Sequence, residues 1–597
     1  MPRQAPLEND AAENAIPDPA ELAATVVKIA DRSQQIITRF LEHQGEVLRV
    51  DPFNIGSAFL ELTAHMMDNP EMVFKAHASL WQGYMDLWWN TSRTLSGEKV
   101  APVVETEPGD RRFHHEDWEK NSVFNFIKQS YLMTSRWLQA TVREVEGMDA
   151  KTAQRVEFYT RHFVDTLSPS NFVLSNPEVL RATIETKGEN LVQGLNNMLA
   201  DLDRGEGRLA ITMTDHDAFT IGENIAATSG KVVFQNELLQ LIQFAPTTEK
   251  VKRRPLLLIS PWINKYYVLD LSPKKSFVKW ALDQGHTLFI ISWVNPDEKL
   301  SHKSFEDYMF EGPLAALDAI EEATGEHEIN AIGYCIGGTL LAATLAYMAE
   351  KKDDRIKSAT FFTTLMDFSD PGELGVFIDE AQLGELEEKM HSQGYLGGRE
   401  MATTFNMLRA NDLIWSFVVN NYLLGKDPFP FDLLHWNADS TRIAAEIHSF
   451  YLRNMYLENN LVKPGGITLG GVPIDLGKIK TPSFMLSSRE DHIAPWKSTY
   501  AATRLLAGPV EFVLAASGHI AGVINPPQAG KYCYWTHNRN LREPEKWLAS
   551  ANRSEGSWWP EWEKWIAKFS GGKVPSRIPG DGRLEPIEDA PGSYVIA

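Results

Sequence analysis

A cysteine flanked by glycines, between an apolar run and a helical pattern, is the feature that most constrains this chain. The run from Ile329 to Tyr334 predicts a buried strand, and the segment after Cys335 has the pattern of a helix. Gly333 lies two residues before the cysteine, and Gly337 lies two residues after it. This is the spacing of a nucleophile elbow, in which glycines let strand and helix approach closely around a strained turn. We therefore predict that Cys335 is a nucleophile, with cysteine in the position that serine usually takes.

An elbow nucleophile requires an acid and a base further along the chain, in that order. Asp491 follows the apolar run 482–486, and His519 follows the apolar run 510–516. The separations suit a late insertion followed by one helix and one strand. We predict that Cys335, Asp491 and His519 form the catalytic group.

Other residues compete for these roles. His492 is an alternative base, but it is adjacent to Asp491 in the same loop, so we interpret it as a supporting residue. Glu490 is a weaker alternative for the acid. The second cysteine, Cys533, has no elbow around it and is interpreted as a packing residue. A buried packing role is also the alternative interpretation of Cys335.

The oxyanion hole of such a site combines two backbone N–H groups. The first belongs to Ile336, directly after the nucleophile. The second comes from the loop after the apolar run 255–259, where Pro261 has no N–H to donate. We predict Ile263 as the second donor.

After about residue 206, short apolar runs alternate with helical segments. This pattern predicts fold class α/β, with a mainly parallel sheet covered by helices on both faces. Together with the elbow it indicates an α/β-hydrolase fold. The alternation stops at about 370–458, and we interpret that stretch as a lid insertion over the carboxyl ends of the strands. Strands are predicted at KVVF from Lys231, PLLLI from Pro255, TLFIIS from Thr287, EINAIGY from Glu328, SATFFT from Ser358, PSFML from Pro482 and VEFVLAA from Val510.

The chain divides into three parts. Residues 1–20 are rich in Pro, Ala, Asn and Glu and are predicted to be a disordered leader. Residues 21–205 have apolar positions at three- and four-residue spacing, which predicts a helical N-terminal domain. Residues 206–597 are predicted to be the catalytic domain with its insertion.

An aromatic stripe stands out in the helical domain, because Trp81, Tyr84 and Trp88 share one predicted helix face. The more ordinary interpretation is internal core or a seam to a neighbouring domain. The alternative is an exposed face for a hydrophobic product or partner.

Composition excludes several classes of function. With a formal net charge of −21, the chain should repel nucleic acid and anionic lipid. Two cysteines exclude a disulfide framework and favour a cytoplasmic location. The N-terminus lacks a signal-peptide pattern, and no apolar run reaches the ~20 residues of a membrane helix.

Five motifs together resemble the polyhydroxyalkanoate synthases, and the length and long N-terminal region resemble class I of that family. The motifs are PWINKYYVLDL, GYCIGG, SSREDHIAPW, GHIAGVINPP and GSWWPEW, in this order. The resemblance implies Cys335 as nucleophile, His519 as base and Asp491 as the third member. It also implies that Trp436, in LLHWNADSTR, belongs to the lid or to a dimer contact.

The resemblance further implies an acyltransferase that polymerises (R)-3-hydroxyacyl-CoA, such as 3-hydroxybutyryl-CoA, through a covalent cysteine thioester. CoA would be the leaving group, and no cofactor or metal is expected. The expected partners are the acyl-CoA substrate, the polyester granule surface, a second copy in a homodimer and phasin-type granule proteins. The expected location is the cytoplasm, at the granules.

Two other classes of function stay open. The first is a cysteine-dependent hydrolase or thioesterase that releases free acid, although a small hydrolase does not need the large N-terminal domain. The second is a non-catalytic granule-associated scaffold, although such a protein does not need nucleophile, acid and base. Release of CoA together with an insoluble product would separate these alternatives.

Overall fold

The structure, a computed structural model, describes residues 55–596. The predicted leader, residues 1–20, and the first part of the predicted helical domain lie outside the described residues. No helix from 55 to 596 is long and apolar enough to cross a lipid bilayer.

The described residues before the first strand form seven α-helices. Four of these helices begin at an Asn or Asp whose side chain accepts hydrogen bonds from first-turn N–H groups, which pairs donors that the helix itself cannot. These capping residues are Asn69, Asn121, Asp149 and Asn176. The helices are α1 (Ile55–Asp68), α2 (Pro70–Leu95), α3 (Asp117–Lys120), α4 (Ser122–Arg143), α5 (Ala150–Thr166), α6 (Pro177–Glu185) and α7 (Glu189–Arg204).

One sheet of eleven strands dominates the rest of the described chain. Its strands are β1 (Gly230–Gln235), β2 (Leu239–Phe244), β3 (Leu256–Ile259), β4 (Leu288–Trp293), β5 (Ile329–Tyr334), β6 (Ile356–Phe362), β7 (Ser483–Ser488), β8 (Val510–Ala515), β9 (Cys533–Thr536), β10 (Asn552–Glu555) and β11 (Glu588–Asp589). Their order is β10-β9-β8-β7-β6-β5-β3-β4-β2-β1-β11. The central strands, from β8 to β4, pair in parallel, and the outer strands pair antiparallel.

Helices cover both faces of this sheet. In β3, Leu257 and Ile259 belong to one large buried apolar cluster, while Leu256 and Leu258 belong to another. All seven predicted strands are present, and the predicted α/β-hydrolase fold is confirmed. The helices of this region are α8 (Phe277–Asp283), α9 (Phe305–Met309), α10 (Ala315–Thr324), α11 (Ile336–Lys351), α12 (Glu380–Gln393), α13 (Gly398–Leu408), α14 (Asp432–Ala438), α15 (Ala445–Tyr451), α16 (Trp496–Ala501), α17 (Pro544–Ser550), α18 (Trp559–Ile566) and α19 (Ser593–Ile596).

An insertion that carries α12 to α15 lies between β6 and β7 in the chain. The N-terminal helices pack against it, with Arg161 paired to Glu373 at 2.7 Å. The Tyr422 hydroxyl likewise donates to the Asp201 carboxylate at 2.6 Å. Polar contacts of this kind tie the N-terminal helices to the insertion rather than leaving them as a separate body.

The aromatic stripe of α2 faces outward. Trp81 is 72% exposed and Trp88 is 67% exposed, so the interpretation of this face as internal core is wrong for the single chain. The reason lies in the opposite face of the helix, where Gly83 lets α2 approach Met133 of α4 so closely that a Cβ would collide with the methionine sulfur. Tyr84 is half-buried, and its hydroxyl hydrogen-bonds to α4.

Candidate active site

Cys335 occupies a strained turn between β5 and α11. Its φ of +52° and ψ of −121° lie outside the regions that residues with a side chain normally adopt. The surrounding glycines permit this turn: a Cβ at Gly337 would collide with the carbonyl of Ile259, and one at Gly338 would collide with Thr364. The turn therefore has the shape that the glycine spacing predicts.

The backbone at the elbow is arranged around the cysteine. The Cys335 N–H donates to the carbonyl of Phe362 at 2.9 Å, which ties the turn to β6. Ile336 is the first residue of α11, and the first N–H groups of a helix have no acceptor within it. The Ile336 N–H therefore makes no hydrogen bond within the helix, as an oxyanion donor requires. Its role as a donor stays a prediction.

Asp491 and His519 meet at the ends of neighbouring strands, β7 and β8. The Asp491 Oδ2 accepts a hydrogen bond from His519 Nδ1 at 2.7 Å. The Asp491 Oδ1 accepts from the backbone N–H groups of Ile493 at 2.9 Å and Ala494 at 2.8 Å. Both Asp491 and His519 are buried. The carboxylate is held in one orientation and in turn orients the imidazole, which also has a side-chain hydrogen bond with Cys335.

The charge around His519 suits a base. Burial alone would lower the pKa of His519, but the Asp491 carboxylate and the charge of a Cys335 thiolate outweigh it and raise the pKa to about 10. An imidazole that binds a proton this firmly can take one from the thiol. The structure therefore brings the three predicted side chains together.

Three tyrosines that sequence reasoning missed also surround this group. Tyr334, directly before the cysteine, stacks on His519 with ring centroids 5.7 Å apart. Burial raises the pKa of Tyr451 and Tyr456 in the insertion, and negative charge at Cys335 adds to both shifts. The last two phenols lie near the cysteine only because the insertion folds back over it. Nothing in the local sequence beyond aromatic content marks them.

The competing residues occupy different surroundings. His492 is half-buried, its Nδ1 has no hydrogen-bond partner within 55–596, and burial lowers its pKa to about 4. Glu490 is exposed to solvent, which is unlike the buried carboxylate of Asp491. Cys533 is buried in β9 among apolar side chains. His492 therefore sits beside the Asp491–His519 pair without taking its hydrogen bond.

The predicted oxyanion loop is fastened by the insertion. Trp436 is buried, and its indole Nε1 donates to the carbonyl of Lys265 at 2.7 Å. The Thr441 hydroxyl donates to the carbonyl of Ile263 at 2.7 Å, and the Lys265 ammonium pairs with Asp439 at 2.8 Å. The structure thus places Trp436 as a brace for the loop that carries Ile263, whose role as a donor stays a prediction.

Trp436→Phe should destabilise the protein by about 1–3 kcal/mol, because it leaves the Lys265 carbonyl buried without a donor. It should also slow the reaction at Cys335, since the loop would lose one of its fastenings. Urea unfolding and the catalytic rate measure the two effects. The matched control is Trp547→Phe, because Trp547 is fully buried with an indole N–H that has no partner among the described residues. An equal loss of stability in both variants would contradict a role for the hydrogen bond.

Comparison with known proteins agrees with the fold. Residues 109–281 match the model of the poly-beta-hydroxybutyrate polymerase (PhaC) N-terminus, and 270–526 match the alpha/beta hydrolase fold. The chain is 46% identical over 585 residues to the poly(3-hydroxyalkanoate) polymerase subunit PhaC of Rhizobium meliloti (strain 1021), covering 97% of this chain and 95% of that protein. It is 51% identical over 530 residues to the poly(3-hydroxyalkanoate) polymerase of Methylorubrum extorquens, covering 89% and 87%.

A third relative, the poly(3-hydroxyalkanoate) polymerase subunit PhaC of Cupriavidus necator, is 45% identical over 542 residues, covering 89% of each chain. Fold and geometry define a protein of the α/β-hydrolase fold with cysteine at the elbow. Within that class, this chain belongs to the poly(3-hydroxyalkanoate) polymerase family. The resemblance seen in its five motifs is confirmed.

Proposed function

We propose that this protein polymerises (R)-3-hydroxyacyl-CoA thioesters into polyhydroxyalkanoate, with release of CoA and a covalent intermediate on Cys335. The observation that carries the proposal is the elbow cysteine beside a buried His519–Asp491 pair joined at 2.7 Å. Relatives of similar length that are named poly(3-hydroxyalkanoate) polymerases support the substrate class.

The first half of the reaction loads the enzyme. His519 takes the proton from the Cys335 thiol, and the thiolate sulfur attacks the carbonyl carbon of the thioester. The backbone N–H of Ile336, with a second donor from the loop at Ile263, stabilises the oxyanion. When the carbon–sulfur bond to CoA breaks, the CoA thiolate takes the proton from His519. One thioester is exchanged for another, so the acyl group stays activated in a way that a serine ester would not preserve.

The second half lengthens the chain. The 3-hydroxyl of one acyl unit attacks the thioester carbonyl of another, forming an ester bond and freeing a thiol. His519 or Asp491 assists the removal of the hydroxyl proton. Water must be kept out, because it would release the acyl group as free acid. The burial of both residues under the insertion is consistent with that requirement.

The decisive experiment follows CoA release from 3-hydroxybutyryl-CoA and identifies the product. Insoluble polyester that forms in step with free CoA supports the proposal. Free 3-hydroxybutyrate with the same amount of CoA would indicate the hydrolase instead. No CoA release would indicate the non-catalytic scaffold.

Asp491→Asn tests which half of the reaction, acyl loading or chain elongation, depends on the Asp491 carboxylate. If Asp491 acts mainly in elongation, one acyl group should load onto Cys335 at nearly the normal rate while chain growth stalls. If it mainly orients His519, loading itself should slow. Single-turnover acylation followed by polymer yield separates the steps. A variant as fast as wild type in both would remove Asp491 from the site.

We further propose that the protein works in the cytoplasm on the granule of its own product, as a homodimer and beside phasin-type proteins. The exposed face of α2 supports the contact with the granule, because Trp81 and Trp88 present a large apolar surface to solvent. A polyester surface would cover such a face without charge pairing. Among these partners, the granule is the one that the aromatic face favours directly.

The double change Trp81→Ser and Trp88→Ser should lower retention on polyester granules several-fold, because it removes exposed aromatic area that would leave water on binding. Co-sedimentation with purified granules measures retention. The matched control changes Leu174 and Ile184 to serine, since the two are exposed to a similar degree but lie outside α2. Equal retention of the two double variants would contradict the assignment of the granule to this face.

A further inference from the structure

An apolar cavity of about 580 Å³ lies between α1, α2, α4 and α5. Its volume is within the range of about 300–1,000 Å³ that small-molecule sites usually have. Phe59, Val73, Trp137 and Val142 are among its lining residues, and no Lys or Arg is among the described residues that line it. The cavity therefore suits an uncharged apolar ligand and does not suit the phosphates of CoA.

Two polar atoms in the cavity wall have no partner. Thr160 is 3% exposed, and within 55–596 neither its Oγ1 nor the Nε2 of His162 makes a hydrogen bond. Burial lowers the pKa of His162 to about 4, so the ring is neutral near pH 7. A buried polar atom without a partner costs stability, and a hydrogen bond to a ligand acceptor, formed when the side chain rotates toward the cavity, would remove that cost.

A smaller pocket of about 180 Å³ adjoins this cavity on the side of the insertion. It lies between α5 and the segment 407–412 of the insertion, and His162 lines both pockets. Arg409 also lines the small pocket, and its Nη1 is 4.0 Å from the position a Cβ would take on Gly518, next to His519. A line of adjoining groups thus runs from His519 past Arg409 and His162 to the cavity.

We propose that the nascent polyester chain leaves the active site along this line and that the cavity between the N-terminal helices binds its first segment. This rests on the proposed polymerase function. A 3-hydroxyalkanoate polyester is uncharged, with alkyl groups that match the apolar wall and ester carbonyls that can accept hydrogen bonds. The Thr160 hydroxyl supplies one donor, and His162 supplies the second in the tautomer that carries its proton on Nε2. The N-terminal helices then bind the product in addition to supporting the fold.

The first test is photolabelling of the full chain carrying Cys335→Ala, which cannot be acylated. The probe is a short 3-hydroxybutyrate oligomer, protected as a methyl ester and bearing a diazirine. Labelling of peptides from α4 and α5 is the expected result, and excess unlabelled oligomer should suppress it. Labelling confined to the outer face of α2 would overturn the proposal. Chemical cross-links between residues 1–54 and the cavity wall, with no oligomer label there, would also overturn it, because the chain itself would then fill the cavity.

The second test fills the cavity. Ala76→Trp places an indole in it, and we expect the molar mass of the polymer to fall several-fold, with a smaller effect on single-turnover loading of Cys335. Ala64→Trp is the matched control, because Ala64 is exposed on the neighbouring helix α1. Thr160→Val keeps the shape of the side chain and removes the hydroxyl, and it should lower the molar mass of the polymer by less than Ala76→Trp does. This smaller change keeps the test valid if Ala76→Trp fails to fold.

The outcomes separate this inference from the proposed function. If the wild-type protein makes no polymer, the proposed function itself fails. If it makes polymer and both cavity variants yield chains of wild-type mass, only the exit path is wrong. Shorter chains from both cavity variants, with the Ala64→Trp control unchanged, support the path.

Discussion

Replacing Cys335 with alanine is expected to abolish acyl loading, CoA release and polymer formation. The thiolate forms the covalent bond to the acyl group, and no neighbouring side chain can substitute for it. The free energy of unfolding should change by less than about 1 kcal/mol, because one half-buried sulfur is lost and alanine meets the same strained φ as cysteine. Mass spectrometry of the acyl-enzyme and urea unfolding measure the two results.

Cys533→Ala is the matched control for this substitution. Cys533 is the only other cysteine in the sequence, and it is buried in β9 among apolar side chains. Its replacement should leave CoA release unchanged. Polymer formation by the Cys335→Ala variant would show that the nucleophile has been wrongly assigned.

His519→Ala is expected to slow acyl loading by about 10²–10⁴-fold, the usual contribution of a general base. The Asp491 carboxylate would remain buried but would have lost the imidazole that it orients. Pre-steady-state release of CoA measures the loading rate directly. The remaining activity should rise with pH, because more Cys335 would then ionise without a base.

The comparison with His492→Ala makes this prediction specific. His492 lies next in the chain to Asp491, yet it does not form the hydrogen bond that His519 forms. Its replacement should cost less activity than that of His519. A larger loss for His492→Ala would move the base to His492 and leave His519 as a structural residue.

Local sequence was sufficient for the elbow and for the order of the catalytic residues. Gly333, Gly337 and Gly338 surround the cysteine because only glycine fits where strand and helix approach so closely. Short-range packing of this kind is visible in a few consecutive residues. The apolar runs that precede Asp491 and His519 are equally local, so their strands could be predicted as well.

The edges of the sheet were harder to predict. β2 contains two buried glutamines, Gln240 and Gln243, and β9 to β11 are short. These strands have no continuous apolar run, because polar residues interrupt their apolar ones, and the buried glutamines of β2 are accommodated by hydrogen bonds to distant residues. Gln240, for example, hydrogen-bonds to Ser593 near the far end of the chain.

Tertiary structure alone decided the rest of the site and its surface. Trp81 and Trp88 have the spacing of a core face, yet α2 packs on α4 through its opposite side, where Gly83 permits close approach. Tyr451 and Tyr456 reach Cys335 from more than a hundred residues away. A sequence pattern reports which residues share a face. Only the packing of whole elements determines what that face meets, since the partner comes from a distant part of the chain.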